Sequence, residues 1–142
     1  MLVSDLMSTD VVTVPVDATL DRVAEELLDN GVGSTIVVSP EGNPVGMVTE
    51  SDVLEAAHET GRPLGDIAVT AVSERPVVTT TPSVSVPTVA RQMAAEDVKK
   101  VPVVDDVDLV GIVTLTDIVW EFTSLRREAT ELAAAREKWS PG

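Results

Sequence analysis

Two stretches decide the fold: GMVTESD at Gly46–Asp52 and GIVTLTD at Gly111–Asp117. Each is a short apolar run of β type that ends in a hydroxyl cluster and an aspartate, where a helix-like pattern begins. They lie about 65 residues apart, and what surrounds them recurs as well, so the chain is one unit written twice.

Outward from Gly46, the preceding strand is Thr35–Val38. It is joined across Pro40-Glu41-Gly42-Asn43-Pro44, dense in turn formers, to an antiparallel strand at Val45–Thr49. Before it, Leu20, Val23, Ala24, Leu27 and Leu28 recur at helical spacing, with Thr19 as cap, Asp21 in the first turn and Asn30-Gly31 as stop. Val11–Val14 predicts a short strand ahead of that helix, and Val3–Met7 a helical lead-in. From Ser51 a second helix runs through Val53, Leu54, Ala56 and Ala57 towards Gly61. The unit is β-α-β-β-α.

Gly61-Arg62-Pro63-Leu64-Gly65 breaks the pattern, and the same order follows. Leu64 and Ile67 resemble the lead-in Val3 and Leu6. Val77–Thr79 repeats the first strand. Val86, Val89, Ala90, Met93 and Ala94 repeat the helical face, with Pro87 in the first turn, where a missing N–H costs little. Val101–Val104, a tighter turn at Asp105–Asp108 and Val110–Thr114 complete the copy. Phe122, Leu125, Ala129, Leu132 and Ala133 then predict a final helix extended to about Lys138. The expected division is a first repeat with its lead-in at 1–62, a second repeat at 63–125, and a C-terminal helix extension and tail at 126–142.

With 142 residues, 44% of them hydrophobic, the chain has material for one core or two small ones packed together. A lone repeat of about 55 residues buries too little surface to be secure. Aromatics are 2%, so Val, Leu, Ile, Ala and Met must build the interior. The 24 acidic residues against 10 basic ones leave a net charge of -14, which argues against nucleic acid or a membrane surface as partner. Lys99, Lys100 and Lys138 are the lysines; an acidic, lysine-poor surface fits a halophilic protein of a salt-rich cytoplasm or an ordinary acidic one. The absence of cysteine excludes disulfides and thiolate metal sites. No stretch reads as a signal peptide or a membrane span, so a cytoplasmic location is expected.

The two G-h-h-T-x-[ST]-D endings, the KKVPVVDD stretch at Lys99–Asp106 and the paired amphipathic helices resemble a tandem pair of cystathionine-β-synthase (CBS) domains, a Bateman module, over Leu6–Phe122. The resemblance implies a mixed α/β (α+β) fold: two β-α-β-β-α repeats, pseudo-twofold related, packed through their sheets and leaving two clefts. It also implies that the clefts hold an adenosine-containing ligand such as AMP, ADP, ATP or S-adenosylmethionine.

The residues suit such a ligand on their own chemistry. A carboxylate accepts two hydrogen bonds from a vicinal diol, so Asp52 and Asp117 match ribose hydroxyls. Thr49, Ser51, Thr114 and Thr116 add hydroxyls beside the same helix starts, a place suited to phosphate oxygens. The same residue types also serve as plain helix caps, and both readings stay open. By the resemblance, Asp117 faces Ala18 and Val32-Gly33-Ser34, which flank an adenine, and Lys99-Lys100 occupy the place of phosphate-binding basic residues. The reciprocal cleft gathers Asp52, Thr49, Ser51, Val84 and Val98. The first repeat carries Gly33-Ser34 where the second carries Lys99-Lys100, and Ile36 where the second has Pro102. The Asp117 cleft is therefore expected to bind AMP more tightly.

Other residues carry less. His58 lacks a companion ligand and reads as a surface residue, and Glu25-Glu26 and Asp105-Asp106 as solvated pairs. Trp120 is expected against the core, and Trp139 exposed or in a dimer contact. No catalytic or metal motif is recognised, so an enzyme is not expected and no cofactor is required. The expected function is that of a regulatory, homodimeric sensor of an adenosine-type ligand, AMP favoured, that signals to an unidentified protein. The alternative is a ligand-free dimerisation or interaction scaffold.

Overall fold

The computed structural model describes residues 1–73 and 77–139, the side chains of 124–127, 129 and 133–139 aside. The first repeat holds α1 (Val3–Leu6), β1 (Thr13–Pro15), α2 (Leu20–Asn30), β2 (Ser34–Val38), β3 (Pro44–Thr49) and α3 (Glu50–Thr60). Two short 3₁₀ turns, Leu64–Asp66 and Val69–Ala71, lead to the second repeat, with α4 (Val86–Glu96), β4 (Lys100–Asp105), β5 (Asp108–Thr114) and α5 (Leu115–Trp139). The first sheet runs β1-β2-β3, parallel then antiparallel; the second pairs β4 with β5 antiparallel.

Strand alternation explains how each sheet serves two surfaces. Along β2, Val37 joins Val14, Val48, Leu20, Val23 and Leu27 in the first core, while its neighbour Ile36 is fully buried on the opposite face. Along β4, Val101 and Val103 join Val89, Met93 and Val113 in the second core, while Lys100 and Pro102 alternate to the other face. That second face of each sheet is where the clefts form.

Each core is completed by the segment that precedes the other repeat. Val3 lies in the second core with Leu6 and Met7 packed against it, and its N–H donates to the Val84 carbonyl at 2.8 Å. Ile67 and Val69 lie in the first core, where the Leu20 N–H donates to the Ile67 carbonyl and the Val69 N–H to the Ala18 carbonyl. The N-terminal segment then crosses β5, Ser8 and Ile112 exchanging two 2.9 Å hydrogen bonds. A Cβ on the adjacent Gly111 would come within 2.8 Å of the Ser8 carbonyl oxygen and of Met7 Sδ, so this crossing requires glycine.

Several expectations change. The strand expected at Val77–Thr79 reduces to a single parallel bridge between Thr80 and Val103. In the first repeat the Ile36 N–H donates to the Val12 carbonyl at 2.9 Å; Pro102, its counterpart, has no N–H to donate. Strand β1 starts at Thr13, two residues later than expected. Thr19 stands at the N-cap of α2 without capping it, its hydroxyl donating to Asp21 Oδ1 instead. Trp120 is 74% exposed, not packed on the core, because the inward positions of early α5 are taken by residues such as Ile118. Leu28 and Leu54, placed on helical faces by their spacing, are exposed as well. Leu125, Ala129, Ala133 and Trp139 lie outside the residues whose side chains are described.

Candidate functional site

Both motif endings build helix starts. Thr49 and Asp52 form a reciprocal capping box: the Asp52 N–H donates to Thr49 Oγ1 at 3.3 Å, and Asp52 Oδ2 accepts from the Thr49 N–H at 2.8 Å. In the second copy the Asp117 N–H donates to Thr114 Oγ1 at 3.1 Å. The capping reading is therefore realised in both copies. It does not exhaust Asp52, because a carboxylate offers about four acceptor positions and one is used here. Each helix start is also tied to the residue ahead of its own central strand: the Glu50 N–H donates to the Gly33 carbonyl and the Leu115 N–H to the Lys99 carbonyl.

The larger cleft, of about 590 Å³, lies between the start of α3 and the opposite repeat. From the first repeat come Thr49, Glu50, Ser51 and Asp52, with Gly33 and Met47 beside them. From the second come Asp97, Val98, Lys99 and Lys100, with Val77, Val78 and Pro102. The smaller cleft, of about 210 Å³, sets Val32, Gly33, Ser34 and Ile36 against Ile112 and Thr114. Ser8, Asp10, Val11 and Val12 close it on the N-terminal side, and Lys100 reaches it too.

The expected residues are thus regrouped. Thr49, Ser51, Asp52 and Val98 line one cleft together, and Val32, Gly33, Ser34 and Thr114 the other. Lys99 lines the larger cleft, with Asp52, and not a cleft with Asp117 as expected. Asp117 and Thr116 line neither. Ala18 packs against the first core and Val84 against the second. The cause is reciprocity: residues ahead of β4 face the helix start of the other repeat, so the two lysines go to Asp52.

Glu50 and Asp97 were not singled out by sequence. Asp97 ends α4 in a left-handed conformation, φ 53°, at the place where Gly31 ends α2 at φ 62°. A non-glycine at that stop position was the available signal. The larger cleft consequently holds three carboxylates against two lysines.

The family profile for the CBS domain matches residues 3–59 and again 66–124. The chain is a CBS domain pair. Over 116 residues it is 33% identical to the CBS domain-containing protein YhcV of Bacillus subtilis, covering 82% of this chain and 81% of that protein. It is 31% identical over 139 residues to the uncharacterized protein MJ1404 of Methanocaldococcus jannaschii, covering 89% of this chain and 33% of that protein. The chain spans from a third to three fifths of the length of the first archaeal relatives it matches. Among solved structures, the CBS domain pair of protein MJ0100 in complex with 5′-methylthioadenosine and S-adenosyl-L-methionine matches with a TM-score of 0.78 and 28% identity, over 87% of this chain and 97% of that one. No described helix is long and apolar enough to cross a membrane.

Proposed function

We propose that this CBS pair is a non-catalytic regulatory module that senses an adenosine-containing ligand in the larger cleft and passes the signal to a partner protein. One observation carries the reading: Asp52, Thr49 and Ser51 face Lys99 and Lys100 across a single cavity of about 590 Å³. A carboxylate for the ribose diol and two ammonium groups for a phosphate then stand on opposite walls of one site. AMP fits that arrangement, and the adenosine-type ligands of the MJ0100 pair are consistent with it. A ligand that touches both repeats biases their relative placement, which is the change a partner can read.

Thermal unfolding with adenosine, AMP, ADP, ATP, 5′-methylthioadenosine and S-adenosylmethionine tests this. A ligand of the native state at 100 times its Kd adds about 2.7 kcal/mol of stability. A melting temperature unmoved by every compound at millimolar concentration leaves the scaffold reading in its place.

The homodimer has its own support. Val119, Trp120, Phe122 and Leu132 on α5 are exposed, as is Leu54 of α3 at the position corresponding to Val119. Apolar side chains of that size gathered on helices suit a contact with a second copy. Sedimentation at micromolar concentration is expected to show a dimer, and a monomer there overturns it.

A further inference from the structure

Gly33 and Lys100 are the residues that line both clefts. Lys100 opens β4, in register with Thr114 of the smaller cleft, and its side chain lies against Gly33. Its Nζ is 3.7 Å from where a Gly33 Cβ would stand, and Glu50 Oε1 is 3.6 Å from the same point. The Lys100 ammonium and the Glu50 carboxylate thus both lie within van der Waals reach of Gly33, in the wall between the clefts. Among the residues lining the smaller cleft Lys100 is the cation, beside the carboxylate of Asp10 and the hydroxyls of Ser8, Ser34 and Thr114.

We propose that Lys100 is a cation shared by the two clefts, so that an anionic group held in the larger cleft weakens the binding of an anion in the smaller. The inference rests on the adenosine-ligand reading of the larger cleft and adds coupling to it. With a net charge of -14, an anion entering either cleft depends on a local positive group. One ammonium cannot face two anions at full strength. Lys99 serves only the larger cleft, so that side keeps a cation while the smaller loses its own. The coupling is reciprocal by linkage, and it is specific to charge: a neutral nucleoside in the larger cleft has no phosphate to draw Lys100 away.

Pyrophosphate titrated into the full chain is the test, followed through the amide resonances of Ser34 and Thr114 for the smaller cleft and Ser51 and Val98 for the larger. Pyrophosphate alone is expected to shift Ser34 and Thr114 in the smaller cleft; no response at either residue overturns the proposal. Saturating AMP is expected to weaken that response about tenfold or more, the size of one charge-assisted hydrogen bond, whereas saturating adenosine leaves it unchanged. Equal effects of AMP and adenosine overturn it. Lys100→Met is expected to abolish the response at Ser34 and Thr114 while adenosine still shifts Ser51 and Val98, and Lys99→Met to preserve it. A response that survives Lys100→Met overturns the shared role. Failure of adenosine to bind defeats the functional reading alone, because the pyrophosphate response at Ser34 and Thr114 and its loss in Lys100→Met still decide whether the cation is shared.

Discussion

Set side by side, the larger cleft takes Asp52 from the start of α3 and two lysines from the approach to β4, whereas the smaller takes Thr114 from the end of β5 and no aspartate from α5. The parts correspond in sequence, GMVTESD against GIVTLTD, yet the walls opposite them do not. The start of α3 looks onto Asp97 to Lys100, and Thr114 at the end of β5 onto Val32 to Ser34. A duplicated motif therefore supplies a hydroxyl-capped helix start twice, and much of the difference in chemistry comes from the facing repeat. The repeats differ beneath the clefts as well: Val14 sits in a three-stranded sheet, and its counterpart Thr80 hangs on one bridge.

The largest expected effect separates the two aspartates. If the proposed function holds, Asp52→Ala removes the carboxylate that would receive a ribose diol and is expected to weaken an adenosine-type ligand roughly 100-fold, about two charged hydrogen bonds less their hydration. Asp117→Ala is expected to leave that affinity unchanged, since Asp117 lines neither cleft. Calorimetry on both variants decides; equal losses would break the contrast between the clefts.

A smaller effect concerns the interior. Thr80 is 6% exposed and its hydroxyl has no partner among the described residues, where the first repeat buries Val14. Thr80→Val removes an unsatisfied buried polar atom at nearly constant volume and is expected to stabilise the fold by about 1 kcal/mol. Denaturant melts read it directly, and a loss of stability would show that the hydroxyl has a role the geometry does not reveal.

The smallest effect sits at the helix stop. Asp97→Gly copies Gly31 into the second repeat, relieves a left-handed aspartate and is expected to add about 0.5 kcal/mol or somewhat more. It also takes one carboxylate out of the larger cleft, so an anionic ligand should bind more tightly while adenosine changes little. Paired melts and titrations check both halves, and a tightening shared equally by adenosine would remove charge as its cause.

Much of the fold was legible in the residues. Turn formers at Pro40–Pro44, the spacing of Leu20, Val23 and Leu27, and the repeated T-x-x-D endings report local preferences that survive folding. Trp120 and Leu54 were less legible: their helices are amphipathic, but only packing decides which apolar residues find a covering surface. The strand at Val77–Thr79 failed for a reason that was present in the sequence. Pro102 removes a donor, yet the missing bond becomes visible only once the pairing partner of each residue is known.

By itself the sequence determined the duplication, most of the order of elements and the capped helix starts. These depend on residues within a few positions of one another. Only the tertiary structure decided that each lead-in segment completes the other repeat's core, that Lys99 and Lys100 stand with Asp52, and that Lys100 reaches both clefts. Those relations join residues far apart in the chain, Asp52 with Lys99 and Val3 with Val89 among them, across a packing symmetry that no local periodicity encodes.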